Sequence, residues 1–232
     1  MPERAEGETA PLRVGIIGAG AVGSALLIAL GARGGEAGLL PVAIASHRLA
    51  TAREAASHVA GVVALPDANT LAAQCDLIFI ATRDDDIRMV AEATLWRAGQ
   101  GVVHLSGALG MAPLTAAAAR GAQCAALHPL MTFPREPTTP DAAQVLARFA
   151  GTTWALQCDD ATLAERLTRL VGALGGRAIR LTEADRAPYH LSGVLVSNYL
   201  VTLAEAAARL WAGWGVERDE ALRALLPLLR AT

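Results

Sequence analysis

A short apolar run that leads into a glycine-rich turn constrains the fold of this chain more than any other stretch. Residues 14–17 have the length of a buried strand, and Gly18, Gly20 and Gly23 follow at the spacing G-x-G-x-x-G. In a dinucleotide site the first glycine makes the tight turn, the second lets the backbone approach the pyrophosphate, and the third lets helix and strand pack closely. The pyrophosphate lies at the helix N-terminus, where unpaired N–H groups favour an anion. The predicted cofactor-binding residues of this turn are Gly18, Ala19, Gly20, Ala21, Val22 and Gly23.

The same glycine spacing also occurs where a turn needs it for conformational reasons alone. Here an apolar strand precedes the turn and an apolar helix pattern follows it to Leu30, and this context favours dinucleotide binding. The chain of 232 residues is long enough for one α/β domain with a sizeable core and a smaller appendage. Its formal net charge of -2 offers no basic surface, so we expect no nucleic acid partner.

Apolar runs alternate with amphipathic helix patterns along most of the chain. Strands are predicted over residues 14–17, 39–45, 61–64, 75–82, 101–105, 122–127, 153–157 and 177–181. Helices are predicted over residues 21–33, 50–59, 87–97, 163–174, 187–214 and 218–229. This alternation predicts an α/β fold, a Rossmann-like, doubly wound and mostly parallel sheet followed by a short α-helical C-terminal region. The predicted domains are a disordered leader (1–10), an NADP-binding domain (11–182) and a helical dimerisation and substrate region (183–232).

The end of the second predicted strand indicates which dinucleotide binds. An NAD site usually has Asp or Glu there to hold the ribose 2′-hydroxyl, whereas a 2′-phosphate requires a cation and a hydroxyl. The chain has Ser46, His47 and Arg48 at this point and no carboxylate. We therefore predict NADP(H) as the cofactor, in preference to NAD, with Ser46 and Arg48 as contacts to the 2′-phosphate. The alternative is that Arg48 is only a solvated residue at the start of the next helix.

The fourth predicted strand ends in Ala81, Thr82 and Arg83, whose backbone is predicted by position to lie along the nicotinamide ribose. Three aspartates follow, Asp84 to Asp86, a cluster that suits either a metal ion or the start of a helix. Because Asp favours helix N-termini through capping and through its charge, we interpret these residues as helix caps and predict no metal site.

Polar groups follow the fifth and sixth strands at the edge where open α/β sheets build their sites. The fifth strand leads into HLSGALG and the sixth into HPLMTFP. We place Ser106 and His128 nearest the reacting atoms, since a His with its ordinary pKa of about 6.5 can move a proton near neutral pH. The alternative for His128, which precedes Pro129, is that it only fixes a loop. His104 lies inside its strand and is interpreted as a hydrogen-bonded core histidine.

The segment from Met131 to about Gly151 is predicted to form a lid. It is rich in Pro and Thr, and Pro134, Pro137 and Pro140 preclude a regular helix at its start. An irregular segment of this length inside a compact domain is often a flap over a site.

The long helix predicted near the C-terminus carries three polar residues on an otherwise apolar sequence. His190, Ser197 and Asn198 are separated by about two helical turns, which places them on one face of an α-helix. Such aligned polar residues either line a cleft or contact a partner subunit. We predict His190 and Asn198 as further catalytic residues, and a homodimer through the C-terminal helices, because one long apolar helix alone leaves apolar surface exposed.

The remaining features favour a cytoplasmic protein. The N-terminal residues are polar and acidic, whereas a secretory signal is basic and then apolar. Cys75, Cys124 and Cys158 are far apart and form no C-x-x-C pair, which argues against a disulfide scaffold or a zinc site. No apolar run reaches the length that crosses a bilayer, so we expect no membrane partner.

Five segments, in this order, resemble a bacterial Rossmann-like family with a C-terminal domain of unknown function: GIIGAGAVG, DLIFIAT, VVHLSGALG, ALHPLMTF and YHLSGVLVSNYLV. That family is related to pyrroline-5-carboxylate reductase, the deazaflavin-dependent NADP reductases and the β-hydroxyacid dehydrogenases. The resemblance covers nearly the whole chain after residue 10 and implies a fold and a cofactor but no substrate. HPL is also similar to a motif of prephenate dehydrogenase whose His contacts substrate, which supports His128. The chain departs from the family in two places: it stops at Thr232, so that it looks truncated, and Arg186 stands where the family often has Lys.

The mechanism must work without lysine, because all 20 residues counted as Lys or Arg are arginine. In the β-hydroxyacid dehydrogenases a helix lysine protonates the substrate oxygen, and arginine cannot replace it because it stays protonated. We expect a hydride transfer between NADP(H) and a small carbonyl or imine substrate bound between the sheet edge and the long helix. His128 or His190 donates or relays the proton, while Ser106 and Asn198 orient the acceptor.

Two other classes of function stay open at this point. One is an NADP(H)-binding sensor or interaction protein without turnover, which is consistent with the missing lysine. The other is a non-redox enzyme that uses the fold for another nucleotide. Tight NADPH binding without oxidation would indicate the sensor, and no binding would indicate the non-redox enzyme, because one fold serves many chemistries.

Overall fold

The structure is a computed structural model that describes residues 10–134 and 141–231. The chain forms two compact units, one that ends at Arg186 and a second that begins at Ala187. The predicted leader, residues 1–10, lies outside the described residues except for Ala10.

The described part of the first unit contains eight strands: β1 Leu12–Ile17, β2 Leu39–Ala45, β3 Val63–Leu65, β4 Leu77–Ile80, β5 Gly101–His104, β6 Gln123–Pro129, β7 Thr153–Cys158 and β8 Arg177–Arg180. They form one sheet in the order β3-β2-β1-β4-β5-β6-β7-β8, and every neighbouring pair is parallel except β6 and β7. The chain thus builds outward from β1 in one direction and from β4 in the other. This confirms the predicted doubly wound, mostly parallel fold.

The register of the central strands aligns their carboxyl ends. Ile17 of β1 pairs with Ala45 of β2 and with Ile80 of β4, and Ile80 pairs with His104 of β5. The segments that follow these four residues therefore leave the sheet at one edge and at one level. In open α/β sheets this edge, where the strand order reverses, is the position of the ligand crevice.

The described residues form ten α-helices: α1 Ala21–Arg33, α2 Leu49–Ala56, α3 Ala68–Ala72, α4 Asp84–Ala93, α5 Thr115–Ala118, α6 Ala142–Phe149, α7 Ala161–Ala173, α8 Arg186–Val194, α9 Leu200–Trp211 and α10 Arg218–Ala231. Helix α1 and strand β2 have the bounds that the sequence predicts, whereas the short helices α3 and α5 were not predicted. Helix α4 begins three residues earlier than expected, so that Asp84, Asp85 and Asp86 form its first turn.

Helix α6 corrects the prediction of a lid between Met131 and Gly151. The helix packs against α1, and both Val145 and Phe149 are fully buried in the core. It begins with a capping box in which the Asp141 carboxylate and the Gln144 side chain each accept a hydrogen bond from the other's backbone N–H. All three prolines precede this helix in the sequence, and residues 135–140 of the segment lie outside the described residues.

The second unit consists of helices whose geometry changes along the chain. After α8 comes a π-helical segment, Leu195–Tyr199, then α9 and a 3-10 turn, Ala212–Trp214. Helices α9 and α10 pack together, with Ala208 and Ala221 buried. The π-helical segment interrupts the uniform α-helix that was predicted over residues 187–214.

The helical run Glu183–Trp214 is long and apolar enough, by length and composition alone, to cross a membrane. Its most apolar window has a mean hydropathy of 1.3, and 6% of that window is buried. This corrects the expectation that no segment reaches the necessary length. The expectation considered uninterrupted apolar residues, whereas this helix contains scattered polar ones.

Candidate functional site

The ends of β1, β2, β4 and β5 bring four segments to one edge of the sheet. The N–H of Gly18 donates to the Ala45 carbonyl at 2.8 Å, and the N–H of Ala81 donates to the Ile17 carbonyl at 2.7 Å. These two hydrogen bonds extend the parallel pairing by one residue beyond the ends of the strands. The glycine-rich turn therefore lies between the segment after β2 and the segment after β4.

Two of the three glycines of the turn lie too close to neighbouring backbone atoms for a side chain. Gly18 has a φ of 111°, and a Cβ there would lie 2.6 Å from the carbonyl oxygen of Ala81. A Cβ on Gly23 would overlap the carbonyl oxygen of Gly18. A Cβ on Gly20, by contrast, would meet no atom within 4 Å. Protein packing thus accounts for the first and third glycines, and it leaves open space beside Gly20.

The N-terminus of α1 is free of negatively charged side chains. Its N-cap residue is Gly20, no side chain caps it, and its first turn contains no acidic residue. The first N–H groups of a helix have no partner within the helix, and the helix dipole adds a partial positive charge there. The turn therefore fits the phosphate groups of a dinucleotide, with the open space beside Gly20 as the place for close approach.

The residues after β2 carry no carboxylate. Ser46 is half-buried, and His47 and Arg48 are exposed. Arg48 is the N-cap residue of α2, and its side chain makes no capping hydrogen bond. A hydroxyl and a cation are thus present where the sequence predicts contacts to a ribose phosphate.

The segment after β4 leads directly into α4. Ala81 and Thr82 are half-buried and Arg83 is exposed. Arg83 is the N-cap residue of α4 and its side chain makes no capping hydrogen bond. The three aspartates lie at the start of the helix as predicted, in its first turn, where their charge suits the helix dipole, but none of them is the N-cap residue. Asp84 instead accepts a hydrogen bond of 2.7 Å from the Ser106 hydroxyl.

Ser106 is 4% exposed and its hydroxyl is fully engaged. The hydroxyl donates to Asp84 and accepts from the N–H groups of Ala108 and Leu109 at 3.2 and 3.1 Å. These bonds fold the loop that follows β5 onto the start of α4. Ser106 therefore stabilises the conformation of this loop.

His104 is a hydrogen-bonded core histidine, as the sequence predicts. It is 0% exposed, its Nδ1 accepts from the N–H of Ser106 at 3.2 Å, and its Nε2 lies 2.8 Å from the carbonyl oxygen of Gly110. Because Nδ1 accepts, Nε2 carries the proton and the ring is neutral. Burial lowers the pKa of His104 to about 4.

His128 lies within β6, which ends two residues beyond its predicted end, at Pro129. His128 is half-buried and pairs with Ala155 of β7. The end of β6 that carries His128 is thus paired with an antiparallel strand, β7. A Cβ on Gly107 would lie 2.8 Å from both Cε1 and Nε2 of His128, so the imidazole packs directly on the backbone of the loop after β5.

The other predicted residues belong to the second unit. His190 and Asn198 are exposed and Ser197 is half-buried. Ser197 and Asn198 lie in the π-helical segment, where each residue turns the chain by less than in an α-helix. The alignment predicted from a uniform α-helical period therefore does not apply to these three side chains.

The sequence reasoning missed a polar cluster on β7 and at the start of α8. The Gln157 amide donates to Glu183 at 3.0 Å and accepts from Nε of Arg186 at 2.9 Å. Arg186 is 3% exposed, and a Cβ on Gly110 would overlap the Glu183 carboxylate. The nearest signal in the sequence was the motif Thr182 to Asp185, in which Asp185 accepts from the Thr182 N–H and hydroxyl.

The cysteines show no sign of reactivity. Burial raises the pKa of Cys75 and of Cys124 to about 11, and it also raises the pKa of Cys158. Across residues 10–134 and 141–231 no three His, Cys, Asp or Glu side chains are grouped so as to hold a metal ion.

Two protein-family profiles match the chain. Residues 1–129 match a Rossmann-like domain, and residues 152–232 match a domain of unknown function, DUF2520. No curated protein matches the chain in sequence.

Solved structures share the fold at low sequence identity. A candidate NADP oxidoreductase from Bacteroides fragilis is 19% identical with a TM-score of 0.72, and the match covers 96% of this chain and 79% of that one. A 1-pyrroline-5-carboxylate reductase from Streptococcus pyogenes is 17% identical with a TM-score of 0.67, and the match covers 96% of this chain and 78% of that one. A reductive aminase from Aspergillus terreus, in complex with NADPH and ethyl-5-oxohexanoate, is 20% identical with a TM-score of 0.69. That match covers 95% of this chain and 73% of the aminase.

The lowered pKa of His104 predicts how stability depends on pH. The unfolded chain binds a proton at the ordinary His pKa of 6.5, whereas the folded chain binds it only near pH 4. The contribution of the neutral ring is therefore complete above pH 6.5 and is lost as the pH falls from about 6.5 to 4, by up to about 3 kcal/mol. Urea unfolding at a series of pH values measures this loss. It should shrink in His104→Asn and persist in His58→Asn, which removes an exposed histidine.

Proposed function

The chain belongs to the Rossmann-like family and carries the C-terminal domain of unknown function, and from this premise we propose that it is an NADP(H)-dependent oxidoreductase. The observation that carries the proposal is the glycine-rich turn, which leaves open space at Gly20 beside an α1 N-terminus without acidic residues. Two of the similar structures are described with NADP or NADPH.

The cofactor would be held by three segments of the first unit. The N–H groups of residues 18–23 would bind the pyrophosphate, and Ser46, His47 and Arg48 would surround the 2′-phosphate. Residues 81–83 would lie along the nicotinamide ribose. NADPH, when bound, supplies a hydride to the substrate carbon.

The protein has to supply the matching proton. We assign this task to His128, since it is half-buried at the sheet edge and a histidine can give up a proton near neutral pH. The proton goes to the oxygen of a carbonyl or the nitrogen of an imine. A protonated imine already attracts hydride, so an imine requires less of this histidine. Two proteins that share the fold are described as a 1-pyrroline-5-carboxylate reductase and as a reductive aminase in complex with NADPH and ethyl-5-oxohexanoate, which supports substrates of this kind.

The roles of the remaining predicted residues follow from their surroundings. Ser106 would position the loop rather than touch the substrate, because its hydroxyl already donates a hydrogen bond to Asp84. His190 and Asn198 stay candidates for substrate contact as exposed polar residues of the second unit, although the α-helical alignment does not apply to them. The substrate would be a small molecule.

The homodimer through the C-terminal helices stays a prediction, as does the cytoplasmic location. The support for a dimer is the apolar surface of the second unit, which includes Val196, Val201, Leu203, Leu210 and Leu228, all more than 60% exposed. The same helices of a second copy of the chain would bury this apolar surface.

The alternative function is an NADP(H)-binding sensor or interaction protein that does not turn over a substrate. The observation that favours it is the absence of lysine, because the related dehydrogenases use a lysine as the proton donor. Arg186, which stands where the family often has lysine, is 3% exposed and bonded to Gln157.

Arg48→Ala should abolish the preference for NADPH over NADH. Because an Arg–phosphate contact is charge-assisted, its loss should weaken NADPH binding by roughly tenfold and leave NADH binding unchanged. Fluorescence titration of each nucleotide measures both affinities. Arg53→Ala removes another exposed arginine of α2 and should change neither. Equal affinity of the wild type for the two nucleotides would contradict the assignment.

His128→Asn should reduce turnover without reducing cofactor affinity. General acid catalysis typically contributes 10²- to 10⁴-fold, so we expect kcat/KM for the best substrate to fall by about 10²-fold or more. A panel of cyclic imines, ketones and aldehydes, followed by NADPH absorbance, provides the substrate, and His58→Asn is the control. NADPH binding without oxidation by any member of the panel would instead support the sensor.

A further inference from the structure

We propose that His104 is a positioning residue: its imidazole clamps both ends of the loop Leu105–Gly110, and the clamped loop sets the place of His128 relative to the cofactor segment. The inference rests on the proposed function in one respect, the role of His128 as the proton donor. The clamp itself stands on the geometry of the first unit.

The clamp consists of two hydrogen bonds from one ring. Nδ1 accepts from the N–H of Ser106 at the start of the loop, and Nε2–H donates to the carbonyl of Gly110 at its end. Inside the loop, the Ser106 hydroxyl accepts from two further N–H groups, those of Ala108 and Leu109. The polar groups of the loop are thus bonded to each other and to His104, which holds the backbone in one conformation.

The clamped loop contacts the proposed site on both sides. On one side the Ser106 hydroxyl donates to Asp84, the first residue of α4 and the next residue after Arg83 of the proposed cofactor segment. On the other side Gly107 packs against the His128 ring, where even one added carbon would lie 2.8 Å from two ring atoms. Movement of the loop therefore changes the distance between His128 and the segment after β4.

The clamp works only with a neutral ring. A proton on Nδ1 would turn it into a donor that faces the Ser106 N–H, so the first of the two hydrogen bonds would be lost. Three charged groups act on His104: Arg186 opposes its protonation, and Asp84 and Glu183 favour it. Burial, which acts in the same direction as Arg186, outweighs the hydrogen bond to Gly110 and the two carboxylates, all of which favour the proton. The loop accordingly stays clamped over the pH range in which an ordinary histidine titrates.

Histidine NMR on the full chain without nucleotide tests the clamp. The five histidines can be labelled with ¹⁵N and assigned by single substitutions. In the wild type, His104 should show the neutral Nε2–H tautomer and should not titrate between pH 8 and about 5. His104 in the Nδ1–H tautomer, or titrating near its ordinary pKa, would overturn the proposal.

Two variants test the effect on His128. His104→Asn removes the bond to Gly110, and Gly107→Ala pushes directly on the ring. Each should shift the ¹⁵N resonances of His128 and its titration midpoint, whereas His58→Asn should leave them unchanged. Unchanged His128 signals in Gly107→Ala, or in a folded His104→Asn, would overturn the proposal.

The proposal can be tested even if one of the two variants does not fold. If His104→Asn does not fold, Gly107→Ala and the wild-type tautomer still decide. A failure of the wild type to bind NADPH would refute the proposed function alone, because none of these signals depends on nucleotide.

Discussion

The close approach of two backbone segments is the constraint on which the candidate site depends. Gly18 lies so near the peptide between Ala81 and Thr82 that any side chain there would collide with it, and Gly23 lies equally near Gly18. These contacts place the N-terminus of α1 beside the ends of β1 and β4. Helix α4, which starts nearby, has three aspartates in its first turn, so an anion at this edge is attracted to α1 and repelled by α4.

Two histidines on neighbouring strands have different surroundings. His104 on β5 pairs in register with Ala126 on β6, and His128 lies two residues further along β6, so both side chains point to the same face of the sheet. His104 is fully buried and bonded at both ring nitrogens. His128 is half-buried. Burial thus distinguishes His104, which holds the structure of the loop after β5, from the half-buried His128.

The local elements and the doubly wound sheet could be predicted from sequence, whereas individual contacts between distant residues could not. Helix α1 and strand β2 have the predicted bounds, since apolar periodicity and glycine are signals of adjacent residues. The prolines before α6 led to the prediction of an irregular lid, whereas α6 is an amphipathic helix. Its apolar face is recognised only from its packing in the core. Ser197 and Asn198 lie in the π-helical segment, so their side chains do not follow the directions that an α-helix would give them. The apolar periodicity of the sequence does not indicate a π-helix. The bonds from Gln157 to Glu183 and Arg186 join residues 26 and 29 positions apart, a separation beyond any local pattern.

Calorimetric titration of NADPH into the wild type, Gly20→Ala and Gly35→Ala tests the central claim most directly. A Cβ at either glycine meets no atom within 4 Å, so both variants should fold like the wild type, but only Gly20 lies in the proposed phosphate-binding turn. The account predicts that Gly20→Ala weakens NADPH binding by about tenfold or more, because its methyl group occupies the place of the pyrophosphate. Gly35→Ala should bind like the wild type. Equal affinity in all three proteins, or no binding by the wild type, would contradict the account.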